Sequence, residues 1–411
     1  MNIQRQVLAN GAIVVVAANP TVDVVAGRLF AIGGRRCDGP WPGMGQLLAA
    51  GLTRGTVTAN AREIADAVES LGAGLGTEAD LDYFLLRFKC VGEDWPALLG
   101  LAADLLRRPT FPTGEVELER RLLLEALQQR PTRPLAAAWD ALLPHCYGDH
   151  PYRHPELGTA QAIEGISGAQ LRAHHRRWFQ PDRLVIALAG RLTPEEGVAR
   201  AAQSFGDWLG ETALAIPTGP RQHTPVDLWI DCPHPQNLVL WAWPAPAIAH
   251  PDAVPFHLLS LVLGDGTTSR LFVELRENRG LAYDVAALFP WRAETSHLLA
   301  YVSTAAADTA TASAILCHEV ARLQEEPLTA AEWQTVQGKC LGHHALRCQT
   351  NGQWAQALGW REAMGLPPHW EAQFVEAVRA ATPADLQRVA QTYLTQGSRA
   401  IAGRREDGPR L

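Results

Sequence analysis

The sequence predicts an α+β chain of two homologous domains, each a mostly antiparallel sheet with helices packed on one face. Three observations predict it: a helix-turn-strand pattern that recurs at half the chain length, isolated apolar strands separated by pairs of helices, and a composition that supports more than one core. With 411 residues, 47% of them hydrophobic and 19% charged, the chain has the size of two or three domains, and disorder or a fibrous repeat is excluded.

The recurrence lies in the segments that close each half. In the first half Ser167 is a helix N-cap, Leu171 follows four residues later, Trp178 seven beyond that, and a short apolar strand ends in Ala189-Gly-Arg191. In the second half Thr382, Leu386, Tyr393 and Ala402-Gly-Arg404 repeat the same order, offset by 215 residues at the helix and 213 at the strand. Ser and Thr at this position accept hydrogen bonds from the first free amides of a helix. The domains therefore divide as 1–214 and 226–411, joined by a Gly/Pro/Thr-rich linker over 215–225.

Within the first half, residues 12–16 read as a strand entered by the Asn10-Gly11 turn, and 24–31 as a second apolar strand. Helical periodicity follows over 43–52 and 61–71, a strand over 83–91, helices over 96–106 and 115–129, and the strand 184–189. The second half repeats the plan with strands over 237–243, 298–303 and 399–402, and helices over 251–263, 308–323 and 330–347. Strands separated by helix pairs and alternating in polarity point to an α+β sheet, and the absence of a GxGxxG or P-loop fingerprint argues against a nucleotide fold.

A formal net charge of −7 gives no basic field, so neither nucleic acid nor an anionic membrane is an expected partner. No apolar run reaches the ~18 residues of a membrane helix. The N-terminal apolar stretch is broken by Asn10-Gly11 and does not read as a signal peptide. Seven cysteines, at 37, 90, 146, 232, 317, 340 and 348, form an odd set without a CxxC pair. They read as free, buried thiols of a reducing compartment, the cytoplasm rather than the periplasm.

Several segments together resemble a known family. They are Leu8-Ala-Asn-Gly11, Ala31-Ile-Gly-Gly34, Gly43-Met-Gly-Gln-Leu-Leu-Ala-Ala-Gly-Leu-Thr-Arg-Gly-Thr56, His150-Pro-Tyr152 with Leu157-Gly-Thr159, and the run from Leu263 to Tyr283. The chain is similar over nearly its whole length to the insulinase/pitrilysin-type (inverzincin) zinc peptidases, especially the two-domain branch that includes the mitochondrial processing peptidase. Active members carry HxxEH on the first helix, where two His at i and i+4 bind zinc and the Glu activates water. Those three positions here are Gln46, Ala49 and Ala50, and the third ligand, a Glu on a later helix, falls on Ala126. Glu125 next to it points about 100° away around a helix of 3.6 residues per turn.

The resemblance thus implies a 1–214 domain with a degenerate zinc motif, and a chain that binds no metal of its own. It also implies that Arg276 and Tyr283, seven residues apart, are the pair that reaches from the C-terminal domain to hold the substrate backbone and stabilise developing charge. Guanidinium and phenol are donors suited to that task. The expected assembly is a heterodimer in which a homologous partner supplies HxxEH and the zinc, acting on short or unfolded peptides. Two other readings follow from the same resemblance: a catalytically inert scaffold subunit, and a specialised partner in processing the pyrroloquinoline quinone precursor peptide.

Other metal candidates are poorer. Cys340, His344 and Cys348 share four-residue spacing but read as buried thiols beside a polar His. His174-His175 reads as a cationic cap near a helix C-terminus, and His145, His150 and His154 as loop scaffolding. No nucleophile elbow or catalytic-cysteine pattern appears.

Overall fold

The computed structural model describes residues 2–211 and 214–405. Two compact units emerge, neither contiguous in sequence: one comprises 1–127, 155–217 and 346–368, the other 128–154, 218–345 and 369–411. The chain passes between them at 217–218, inside the stretch read as a linker. In addition each half lends one segment to the other half's unit.

The strands are β1 (Asn2–Val7), β2 (Ile13–Ala18), β3 (Val24–Ile32), β4 (Gly74–Ala79), β5 (Tyr83–Val91) and β6 (Leu184–Gly190) in the first half. In the second half they are β7 (Asp227–Asp231), β8 (Asn237–Ala245), β9 (Ala282–Leu288), β10 (Ser296–Thr304) and β11 (Ser398–Gly403). The first-half helices are α1 (Met44–Gly51), α2 (Ala61–Glu69), α3 (Trp95–Arg107), α4 (Thr113–Gln129), α5 (Pro134–Tyr147), α6 (Ala160–Gly165), α7 (Gly168–Trp178) and α8 (Pro194–Phe205). The second half adds α9 (Ala253–Gly264), α10 (Thr309–Glu325), α11 (Ala330–Leu346), α12 (Asn351–Ala363), α13 (Trp370–Ala380) and α14 (Pro383–Tyr393).

The first unit is built on a sheet of order β1-β2-β6-β3-β5-β4, the second on β7-β11-β8-β10-β9. Each contains a single parallel pair, β2 with β6 and β7 with β11, and is otherwise antiparallel. The expected sheet class holds, and the two orders correspond strand for strand except that β1 has no counterpart. The capping pairs read from the sequence are present: Ser167 accepts from the Gln170 amide and Thr382 from the Asp385 amide, each in a reciprocal capping box.

Helices do pack on one face, as the sequence predicts, and the structure adds a helix on the other. In the first unit the inner face, including Val14, Val16, Leu29, Leu86, Phe88, Ile186 and Leu188, closes against α1, α3, α7 and α8. The opposite face carries Val15, Ala17, Phe30, Val185, Ala187 and Ala189, and α12 covers it through Ala355, Leu358 and Ala363. Close approach needs a small residue there: a Cβ on Gly359 would lie 2.4 Å from the Phe30 ring. Polar bonds fix the helix at both ends, Asn351 Nδ2 donating to the Val24 carbonyl at 2.8 Å and Arg5 pairing with Glu362 at 3.1 Å.

In the second unit α5 plays the corresponding part against β8 and β11. It is held by Tyr147, whose hydroxyl bonds His297 Nδ1, by Trp139, whose ring centre lies 4.3 Å from that of His297 with the planes tilted by 43°, and by Arg221 donating to the Cys146 carbonyl at 2.9 Å. Strand β6 is buried at every residue because both faces are covered. Among the described residues no helix is long and apolar enough to cross a membrane.

Candidate functional site

Helix α1 opens at Gly43, whose φ of +104° suits glycine. Its first amides are capped by Asp38, with Oδ2 accepting from Gly43 at 3.0 Å and Oδ1 from Gly45 at 2.9 Å. Complete burial pushes the Asp38 carboxyl up to about 7, while these amides and Arg35 pull the other way. Leu47 and Leu48 anchor the helix in the core. Ala49 is buried and its carbonyl accepts from Thr77 Oγ1 of β4 at 2.7 Å; Ala50 is half-buried.

None of the four positions offers a zinc ligand. Gln46 donates its amide to the Glu156 carbonyl at 3.1 Å, and Ala49, Ala50 and Ala126 have no side-chain donor atom. Ala126 and Glu125 both lie exposed on α4, whereas Glu119 is turned inward and paired with Arg54. The residues present do not fit a zinc ion, and among the described residues no group of three or more His, Cys, Asp or Glu could hold a metal.

Arg276 and Tyr283 meet in the second unit. Arg276 lies in the π-helical segment Phe272–Asn278, and Tyr283 in β9, the edge strand next to β10. The Arg276 guanidinium carbon stands 4.4 Å from the Tyr283 ring centre and 4.8 Å from that of Phe272, so two aromatic rings hold it. Its Nη1 donates to the Tyr283 carbonyl at 3.0 Å. Leu275 is buried and the Leu281 amide donates to its carbonyl at 2.8 Å, which pins the segment. Tyr283 itself is 76% exposed, so its phenol is free to meet a ligand. Wide helical turns of this kind recur at functional sites.

Phe272 is the one contributor that sequence reasoning missed. Its spacing of four from Arg276 is the helical interval at which side chains stack, and that was the available signal.

Several of the other histidines have structural partners, and His145, read as loop scaffolding, lies in the last turn of α5. His175 is buried, bonded through Nε2 to the Leu106 carbonyl at 2.9 Å and stacked on Phe179; burial lowers it to about 4, and His174 to about 3. Neither is the cationic cap expected from the sequence; Arg176 and Arg177 carry the charge in that last turn. His150 bonds Glu294 at 3.0 Å and accepts from the Tyr152 amide at 3.1 Å, bracing its loop. Cys348 lies beyond the end of α11, off the helix that carries Cys340, and His344 pairs with Glu371 at 3.4 Å. None of the seven cysteines is in a disulfide.

Comparison with known proteins agrees with this picture. Residues 165–339 match the family model described as peptidase M16 inactive domain. An uncharacterized zinc protease of Mycobacterium leprae is 28% identical over 365 residues, 87% of this chain and 82% of that protein. One from Bacillus subtilis is 25% identical over 363 residues, 88% of each. The crystal structure of a peptidase M16 inactive domain from Pseudomonas fluorescens superposes with a TM-score of 0.93 at 25% identity, covering all of both chains. A protease from Helicobacter pylori shares the fold, with a TM-score of 0.89 at 18% identity over 98% of this chain and 99% of that one. The chain thus resembles the insulinase/pitrilysin-type peptidases in motif and fold, and its residues 165–339 match the M16 inactive-domain family.

Proposed function

We propose that the chain is the non-zinc-binding subunit of a two-chain zinc peptidase, and that it completes the site of a homologous partner carrying HxxEH. The observation that carries this reading is asymmetry. The zinc positions hold Gln46, Ala49, Ala50 and Ala126, while Arg276 and Tyr283 remain adjacent, oriented and partly open to solvent.

On this reading the metal, which polarises the scissile carbonyl and activates water, belongs to the partner. Arg276 and Tyr283 donate hydrogen bonds to the peptide backbone and to the carbonyl oxygen as negative charge develops on it. Such donors, fixed in advance and shielded from water, contribute strongly to rate. The substrates are short or unfolded peptides, which can add as a strand to a sheet edge. The compartment is the cytoplasm, a reading supported by seven cysteines outside any disulfide, five of them buried.

The test is peptide hydrolysis by the complex that co-purifies with this chain, with and without a zinc chelator. Chelator-sensitive cleavage that disappears when the partner is removed is expected. Arg276→Ala or Tyr283→Phe should then lower turnover by about 10- to 1000-fold. A defined complex that cleaves nothing in a broad peptide pool, or mutant complexes with unchanged turnover, sinks the reading and leaves an inert scaffold subunit.

A further inference from the structure

Away from Arg276 and Tyr283, the second unit contains a cavity of about 210 Å³. The apolar end of α9 forms one wall, the loop that follows supplies Thr268 and Arg270, and α11 supplies Glu332, Thr335 and Lys339. Thr268 and Thr335 are exposed and mark the mouth; Arg270, only 8% exposed, lies at the back.

The polar groups have spare donors. Arg270 Nε donates to Glu332 at 2.8 Å, but its Nη1 is buried with no hydrogen-bond partner among the described residues. A guanidinium carries five N–H donors in a fixed fork, and an unpaired one in a dry wall is the exception in native structures. Lys339 donates to the Asp265 carbonyl and stands 2.8 Å from the Asp265 carboxylate, which leaves one of its three donors. The hydroxyls of Thr268 and Thr335 make no hydrogen bond among the described residues.

Helix α11 adds its N-terminal end. Its capping box ties Thr329 to Glu332, and the Ala331 amide, in the first turn, has no carbonyl within the helix to bond. Helix N-termini favour anions. Two carboxylates face the same region, Glu332 and Asp265, and His343 lies 3.9 Å from Asp265. Each carboxylate is paired with a cation, although Asp265 Oδ2 accepts no hydrogen bond among the described residues, and Asp265 does not line the cavity, so an incoming group meets the spare donors of its wall. At ~30 Å³ per water the space takes roughly seven water molecules, which suits an anion of a few heavy atoms and excludes a peptide.

We propose that this cavity binds a small oxyanion, a carboxylate or inorganic phosphate, through Arg270, Lys339, Thr268 and Thr335. The site goes beyond the peptidase reading, since it requires neither a partner chain nor a peptide substrate.

The experiment titrates the full chain with inorganic phosphate, acetate and succinate, following melting temperature and calorimetric heat, with sodium chloride at matched ionic strength as the control. At least one oxyanion is expected to stabilise the chain saturably in the millimolar range, and chloride is not. Lys339→Gln should weaken that binding about tenfold, as for a lost charge-assisted hydrogen bond. Thr335→Leu, which keeps both cations and fills the mouth, should abolish it. Saturation by phosphate alone assigns a tetrahedral ligand, and by the carboxylates alone a planar one; either upholds the site. No saturable effect from any of the three, or binding undiminished in both variants, overturns it. Because nothing is cleaved in this assay, its failure is distinct from failure of the two-chain reading.

Discussion

Arg276 shows how much a single side chain depends on its shape as well as its charge. The guanidinium lies over the rings of both Phe272 and Tyr283 and donates an N–H to the Tyr283 carbonyl. An ammonium on a flexible stem keeps the charge but has no flat face to stack. Arg276→Lys is therefore expected to reduce turnover of the assembled complex nearly as far as Arg276→Ala. Phe272→Leu should lower kcat by a smaller factor while leaving the melting temperature within a few degrees of wild type. Wild-type turnover in the Lys variant would show that charge alone suffices. At this scale the resemblance of the surrounding segment singles out Arg276 and Tyr283, which the fold brings into contact. It did not disclose the ring under Arg276 or the carboxylate that caps α1, because Asp38 and Gly43 are brought together by a loop whose path no periodicity announces.

Among the elements, buried histidines set the response to acid. His257 on α9 is lowered to about 4 by burial and His297 on β10 is lowered well below its usual value for the same reason. In the unfolded chain both titrate near 6.5. As pH falls below 6.5 the unfolded state therefore takes up protons that the folded state refuses, and stability is lost down to about pH 4, by up to about 1.4 kcal/mol per pH unit for each such group. In the first unit His174 and His175 act in the same direction, but Asp38 opposes them. With its folded value near 7 and its usual value at 3.8, Asp38 holds a proton when folded over a range where the unfolded chain has lost it. Its contribution thus grows as pH falls from about 7 to about 4. The second unit should open first in acid. Hydrogen exchange at pH 7 and pH 5 checks this, with amides of α9 and β10 expected to lose protection before those of β3 and β6; the reverse order would discount the histidines.

Legibility also varied by element. The central strands β3, β5, β6, β8, β10 and β11 were evident as apolar runs, since strands covered on both faces need such residues along their length. The edge strands β1, β4, β7 and β9 were not. β1 is almost wholly exposed and polar, and β4 carries two glycines, so neither has a buried face to impose alternation. Helices α5 and α12 escaped for a different reason. α5 starts at Pro134 and contains Pro144, and α12 meets its sheet through Ala355, Gly359 and Ala363, small residues that permit close packing but leave little hydrophobic pattern.

For the whole molecule the governing feature is reciprocal loan. Residues 346–368 complete the first unit and 128–154 complete the second. The repeat in the sequence conveyed two domains of one plan but not this exchange, because partners distant in the chain leave no local mark. A consequence is that the halves are joined by more than the peptide bond between them. Cleavage within 218–225, where the chain has no regular secondary structure, should leave both fragments eluting together in gel filtration under native conditions. Fragment 1–217 made alone should aggregate, since Phe30, Val185 and Ala187 are then uncovered, and co-expression with 218–411 should restore it to solution. Separation of the nicked halves would refute the loan as a source of cohesion.

The same loan puts synthesis out of step with folding. The first sheet has all its strands once Gly190 is made, yet the helix that covers its outer face is complete only at Ala363, 173 residues later. At about 5–20 residues per second on the ribosome, an apolar sheet face waits on the order of 10 to 30 seconds for its lid. During that interval the nascent chain offers a chaperone-binding surface that the finished protein lacks.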